Sequence, residues 1–111
     1  MKKRKQFQEV PVLSHLQAAV LACLGAEKVS GRELRRQLVV NRGLRKSGPA
    51  FYQLMARLEE SGFVTGEYSQ KVINGQIIKE RNYRISAKGA AALTATRDFY
   101  ASPWIAGFVT A

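Results

Sequence analysis

Two β-rich runs, Phe63–Ile73 and Gln76–Ser86, flank the dipeptide Asn74-Gly75. Asn-Gly between such runs is the strongest short-range hairpin signal, because the tight turn that matches strand twist needs positive φ at both central residues. With Asn74 and Gly75 as the turn, cross-strand partners have numbers that sum to 149. Val64 then opposes Ile85, Tyr68 opposes Arg81 and Val72 opposes Ile77. Val64, Tyr83 and Ile85 share one face near the base, where they can cover helices. Farther out lie Lys71, Lys79 and Arg81, with Arg84 on the opposite face nearer the base. Ten rungs at ~3.3 Å each make a ribbon about 30 Å long. A chain of 111 residues holds one domain whose core cannot cover such a ribbon, so the tip is predicted to project into solvent.

The chain on either side of the ribbon reads as helix. From Leu13, the residues Leu16, Val20, Cys23 and Leu24 recur at helical spacing. Ser30-Gly31-Arg32-Glu33 has the spacing of a capping box and opens a second helix with Leu34 and Leu38 inward, ending near Val40. Ser47 is a candidate N-cap, with Pro49 in the first turn, where a missing N–H costs nothing. Phe51, Leu54, Met55 and Leu58 mark the buried stripe of a third helix, leaving Tyr52, Gln53, Ala56, Arg57 and Glu60 outward, and Gly62 closes it in the left-handed region. Ser86 is expected to cap a fourth helix, Ala87 to about Ala101, with Leu93, Thr96 and Tyr100 along one side.

Charge narrows the function. Eighteen Lys and Arg stand against eight Asp and Glu, a net of +10. Residues 1–46 hold eleven basic and three acidic side chains, whereas residues 47–111 hold seven and five. Such a bias points to a polyanionic partner. One Cys and one His cannot complete a disulfide or a structural zinc site, so neither metal nor cofactor is expected. His15 reads as an exposed helix-start residue and Cys23 as a small buried hydrophobe. Glu59 and Glu60 point in different helical directions and cannot form an acid–base dyad, so the chain is not expected to be an enzyme. The apolar run Ala18–Ala26 is far shorter than the ~20 residues of a membrane span. No membrane association is expected, and the cytoplasm, at the nucleoid, is the expected location.

Three helices followed by a basic two-stranded hairpin make a winged helix-turn-helix, an α+β fold that is mostly α. A helix fits the major groove of double-stranded DNA, where Gln reads adenine and Arg reads guanine through paired hydrogen bonds. Tyr52, Gln53 and Arg57 on the outer face of helix 48–61 are the candidate base readers. Arg35, Arg36, Arg45, Lys46 and Ser47 around the preceding loop, with Lys71, Lys79 and Arg81 on the 63–86 wing, are the candidate phosphate contacts. Two bland readings stand beside these: Arg57 paired with Glu60 or Glu33, and Tyr52 capping the core with its ring. The whole chain also admits a protein–protein interaction module of winged-helix shape that does not read DNA, and an RNA-binding module is a third reading.

The stretch Ser47-Gly48-Pro49-Ala50-Phe51-Tyr52-Gln53-Leu54-Met55-Ala56-Arg57-Leu58-Glu59-Glu60-Ser61-Gly62-Phe63 resembles the third-helix signature of PadR-type winged-helix regulators. Gly31-Arg32-Glu33-Leu34 is similar to the family's second-helix start, and Arg81-Asn82-Tyr83-Arg84-Ile85-Ser86-Ala87-Lys88-Gly89 to its return strand and fourth helix. The similarity spans about residues 15–93. Gly48-Pro49 inverts the commoner order, Ala50 replaces a hydroxyl residue, and Arg32 stands where Tyr is frequent. The resemblance implies a homodimeric transcriptional repressor on a near-palindromic site, with Tyr52 facing DNA. It also implies an interface on the C-terminal segment around Leu93, Phe99, Tyr100, Trp104, Ile105 and Phe108. Some relatives bind small aromatic molecules between subunits; Trp104 is read here as packing, and no effector is assigned. The expected organisation is a basic arm at 1–12, a winged-helix domain at 13–86 and a dimerisation segment at 87–111.

Overall fold

The computed structural model describes residues 12–102. The basic arm up to residue 11 and the tail from 103, with Trp104, Ile105 and Phe108, lie outside the described residues. Four helices and three strands follow one another as α1 (His15–Leu24), β1 (Val29–Ser30), α2 (Gly31–Arg42), α3 (Gly48–Glu60), β2 (Val64–Ile73), β3 (Gln76–Ile85) and α4 (Ala87–Tyr100).

Each helix begins where a serine hydroxyl takes up an otherwise orphaned backbone N–H. Ser14, Ser30, Ser47 and Ser86 accept from the N–H groups of Gln17, Glu33, Ala50 and Gly89. The apolar rhythm from Leu13 therefore starts two residues before the helix itself, with Ser14 as its cap and Gln17 completing a capping box. The box expected at Ser30 forms only by half. The Glu33 carboxylate turns away to Arg36 and Gln37, because a forked guanidinium binds it more strongly than a backbone N–H does. At the far end of α3, Gly62 takes φ +82°. Its N–H and that of Phe63 close back on the carbonyls of Glu59 and Leu58, a Schellman ending that turns the chain into β2.

The hairpin follows the predicted register along its whole length, from Val64 opposite Ile85 to Ile73 opposite Gln76. Asn74 and Gly75 both have positive φ, +52° and +80°, as the tight turn demands. A third strand, β1, pairs Val29 with Tyr83 and Ser30 with Asn82, giving the order β1-β3-β2. Two residues are too few to show any periodicity, and so this strand leaves no mark in the sequence pattern.

The core sits where α1, α2, α3 and the wing base meet. Val20, Leu21, Leu34, Leu38, Phe51, Met55 and Leu58 are fully buried there. Val64 and Tyr83 close it from the sheet, as the shared face predicted, and Ile85 packs half-buried beside them. Cys23 is half-buried at the margin of the core. On the far side α4 is tied to the start of the domain by Thr96. Its buried hydroxyl accepts from the Leu13 N–H at 2.9 Å and donates to the Ala92 carbonyl at 2.8 Å.

The N-terminus of α4 is clamped onto the turn after α3. Ser86 N–H donates to the Phe63 carbonyl at 3.0 Å, Ser86 Oγ to the Gly62 carbonyl at 2.5 Å, and Lys88 Nζ to the Ser61 carbonyl at 2.7 Å. Gly89 lies so close to this turn that an added Cβ would stand 2.0 Å from the Phe63 carbonyl oxygen.

Candidate nucleic-acid interface

The buried stripe of α3 fixes its opposite face outward. Tyr52, Gln53, Ala56, Arg57 and Glu60 are all exposed, as the spacing predicts. Arg57 makes no ion pair among the described residues; neither Glu60 nor Glu33 holds it. Its guanidinium is therefore available to an incoming acceptor. Tyr52 is 41 % exposed, and its ring stands edge-on to buried Phe51. The inner edge lies against Gly31, where a Cβ would meet the Tyr52 Oη at 2.6 Å. Tyr52 thus partly covers the core and still presents a side of its ring to solvent.

Between α3 and the wing runs an open cleft of about 1050 Å³ lined by Tyr52, Arg57, Tyr68, Lys79, Arg81 and Tyr83. It brings together base-reading candidates from the helix and cations from the wing. A brace crosses its floor. Arg81 Nη2 donates to Glu59 Oε1 at 2.6 Å, with both side chains about three-quarters covered. Gly66 makes room for the pair: a Cβ there would stand 2.7 Å from Glu59 Oε2 and 2.9 Å from Arg81 Nη2. The Arg81 guanidinium also lies 4.6 Å from the centre of the Tyr68 ring, with the Lys79 ammonium 5.5 Å from the same ring. Under the brace, burial pushes the Tyr83 hydroxyl up to a pKa of about 12.

The remaining phosphate candidates separate into engaged and free groups. Arg35 donates through Nη2 to the Lys46 carbonyl at 2.9 Å and so clips the α2–α3 loop to α2. Arg36 forks onto Glu33 through bonds of 2.9 and 2.6 Å. Hydrogen bonds from Arg36 and then Gln37 hold the Glu33 carboxyl down to about 2. Ser47 Oγ is committed to its cap. Lys71 sits on the other face of the ribbon from Lys79 and Arg81 and pairs with Glu80 at 3.4 Å. Arg81, expected as a free wing cation, is held by Glu59 as described. Arg45, Lys46 and Lys79 have side chains with no ion pair among the described residues. Arg45 and Lys46 border a second concavity at the α2–α3 loop, which shares Arg32 with the cleft.

Tyr68 and Arg32 are among the cleft residues outside the set read from the sequence. Tyr68 is 65 % exposed on the wing, and the predicted register already placed it opposite Arg81. Arg32 lines the cleft beside Tyr52, exposed and without an ion pair among the described residues. Its position in the first turn of α2, across from α3, becomes visible only when the helices are packed.

On the opposite side of the domain, Phe99 and Tyr100 are 44 % and 59 % exposed at the end of α4, with ring centres 5.1 Å apart. They stand beside a groove of about 400 Å³ between α1 and α4, lined by Ala18, Ala22, Leu93 and Tyr100. Leu93 is half-buried against the core. No helix among the described residues is long and apolar enough to cross a membrane.

Neither a protein-family model nor a curated protein matches the sequence. Solved structures do match. A PadR family transcriptional regulator from Eggerthella lenta shares 25 % identity over 77 % of this chain and 70 % of its own, with a TM-score of 0.63. The PadR-like regulator of Bacillus cereus is 22 % identical over 86 % and 87 % of the two chains, at a TM-score of 0.64. Bacillus subtilis PadR, solved with operator DNA, is 18 % identical at a TM-score of 0.62; the match covers 77 % of this chain and 47 % of that one. The fold of this chain is the winged-helix fold of these PadR-type structures.

Proposed function

We propose that this protein is a sequence-specific DNA-binding transcriptional repressor that acts as a homodimer. Helix α3 enters the major groove, Gln53 and Arg57 reach base edges, and Tyr52 contacts the backbone or an adjacent base. The wing lies across the neighbouring phosphate strand with Lys79 forward, and Arg45 and Lys46 hold the backbone at the other end of the helix. The observation that carries this reading is Arg57, exposed beside Gln53 on the helix that borders the cleft, with no carboxylate paired to it among the described residues. The homodimer reading is supported by the exposed rings of Phe99 and Tyr100 next to the α1–α4 groove. Leu93 lines the same groove, and Trp104, Ile105 and Phe108 follow α4 in the sequence. A cytoplasmic location at the nucleoid follows from the DNA-binding role.

Selection from a random duplex library at about 150 mM salt, where exposed charges are screened beyond ~8 Å, tests the reading. The expected product is an inverted repeat with half-sites about one helical turn apart. Arg57→Ala should weaken the enriched site by about 1–3 kcal/mol and relax one base position, with nonspecific binding little changed. Equal loss on every sequence, or no enrichment at all, overturns the base-reading role and leaves a charge-driven binder or an interaction module.

A further inference from the structure

The outer end of the wing is not basic. Val72, Ile73 and Ile77 are 72 %, 43 % and 69 % exposed, three β-branched apolar side chains around the Asn74-Gly75 turn. Val72 and Ile77 are direct cross-strand partners, so they stand side by side on one face. The inner part of that face, Tyr68, Lys79, Arg81 and Tyr83, lines the cleft, which Glu59, Glu60 and Glu80 also border. From Gly66 to Tyr83 the face carries Tyr68, Gln70, Val72, Ile77, Lys79 and Arg81, with no carboxylate among them. Glu80, the acidic residue of the outer ribbon, is on the other face and is neutralised by Lys71. On this face Arg81 is held by Glu59 of α3 and Lys79 has no ion pair among the described residues; an apolar pair beyond that cation is complementary to a surface that is negative at its rim and apolar within.

The reach of the ribbon says where that surface lies. Arg81 is pinned to α3 through Glu59, and the tip begins four residues farther out, about 13 Å away at ~3.3 Å per residue. With α3 in the major groove, that distance carries the tip past one phosphate strand to the minor groove. The groove there is only ~6 Å wide, whereas two strands of a ribbon are already ~4.8 Å apart before their side chains are counted. A tip of this width enters only if the groove opens. Valine and isoleucine cannot hydrogen-bond to the acceptors on its floor, but they can pack on sugar walls and press against a base step, as apolar wedges do.

We propose that Val72 and Ile77 form a minor-groove wedge that opens and bends the DNA, so that the protein selects deformable pyrimidine–purine steps under the wing without hydrogen-bonding to them. The proposal rests on the DNA-reading role above. Its physical consequence is specificity through deformation energy at a position that no polar side chain contacts.

The test uses the full chain and the duplex enriched by the selection, placed at permuted positions in longer fragments so that gel mobility reports bending. The wild-type protein should bend this DNA by at least ~20°. Val72→Ala with Ile77→Ala should at least halve the bend and lower affinity about tenfold for sites with a TA or CA step under the wing. It should leave the salt dependence of binding unchanged, since no phosphate contact is lost. Lys79→Ala should do the reverse, lowering the salt slope by about one while the bend persists. Both side chains are solvent-facing, so the double variant should keep the wild-type circular dichroism spectrum. An unbent wild-type complex overturns the wedge, as does an equal bend in the double variant. A change of oligomeric state with DNA binding intact does so as well, and assigns the tip to contacts between proteins. Failure to enrich any duplex refutes the DNA-reading role itself, whereas an enriched but unbent duplex refutes the wedge alone.

Discussion

Gly89→Ala places a methyl group where the turn after α3 already is. On helix propensity alone the change should stabilise α4 by about 1 kcal/mol. The structure reverses the sign. The new Cβ would stand 2.0 Å from the Phe63 carbonyl oxygen, where ordinary contact begins at 3.4 Å, and 3.0 Å from Ile85 Cγ1. The oxygen belongs to the backbone and is anchored by the Ser86 N–H, so no side-chain rotation relieves the clash. Helix α4 would have to withdraw by the missing 1.4 Å, the difference between 3.4 and 2.0 Å. Overpacking of this kind costs about 1–3 kcal/mol. Withdrawal also stretches the bonds that Ser86 makes to Phe63 and Gly62, each worth about 1 kcal/mol. With the propensity gain subtracted, the net loss is about 2–4 kcal/mol, or a fall in Tm of about 10–30 °C for a domain of this size. Thermal unfolding followed at 222 nm measures it directly. A variant that melts at or above the wild-type temperature would falsify the claim that this contact sets the distance between α4 and the DNA-facing half.

Tyr83→Phe should alter the alkaline limb of stability. Its hydroxyl has a pKa raised to about 12 against an ordinary value of 10, so the folded state favours the neutral phenol. The stability is fully present below pH 10 and is lost as the pH rises from 10 towards 12, because the unfolded chain ionises first. Denaturant midpoints for wild type and Tyr83→Phe should therefore converge in slope below pH 10 and diverge above it, and parallel curves up to pH 12 would contradict the burial argument. Glu59→Gln should loosen the brace without unfolding the domain, since a partly exposed ion pair contributes about 1 kcal/mol or less. The freed Arg81 should raise nonspecific DNA affinity while discrimination between specific and nonspecific duplex falls; an unchanged ratio would show that the brace does not orient the wing.

Most of the fold was legible because its signals are local. Ser30, Ser47 and Ser86 mark three helix starts, the cap at Ser14 was passed over, and the Asn74-Gly75 turn sets the whole wing register. The buried stripe Phe51, Leu54, Met55 and Leu58 follows from spacing alone, and the outward face of α3 with it. What escaped depends on side chains far apart in the chain. Nothing near Arg81 announces that Glu59 will hold it, and nothing near Gly66 shows that an ion pair needs its missing Cβ. Arg35, expected at phosphate, also donates through Nη2 to the Lys46 carbonyl, a contact set by the path of a loop. The projection of the wing tip followed from the length of the ribbon, but the apolar character of Val72, Ile73 and Ile77 at that exposed end drew no reading.

Ser30 takes part in two structures at once. It pairs with Asn82 in the sheet, fifty-two positions farther along the chain, and its hydroxyl caps α2. The helix-turn-helix and the wing therefore cannot be treated as interchangeable modules. A wing transplanted from a cousin would arrive without the backbone that holds Ser30 extended, and the first turn of α2 would lose its starting point. A helix pair lifted out alone would fray at the same place. For an engineer wishing to retarget such a protein, the exchangeable parts are the outward side chains of α3 and the last rungs of the ribbon. The boundary between them runs through single residues, and no linker marks it.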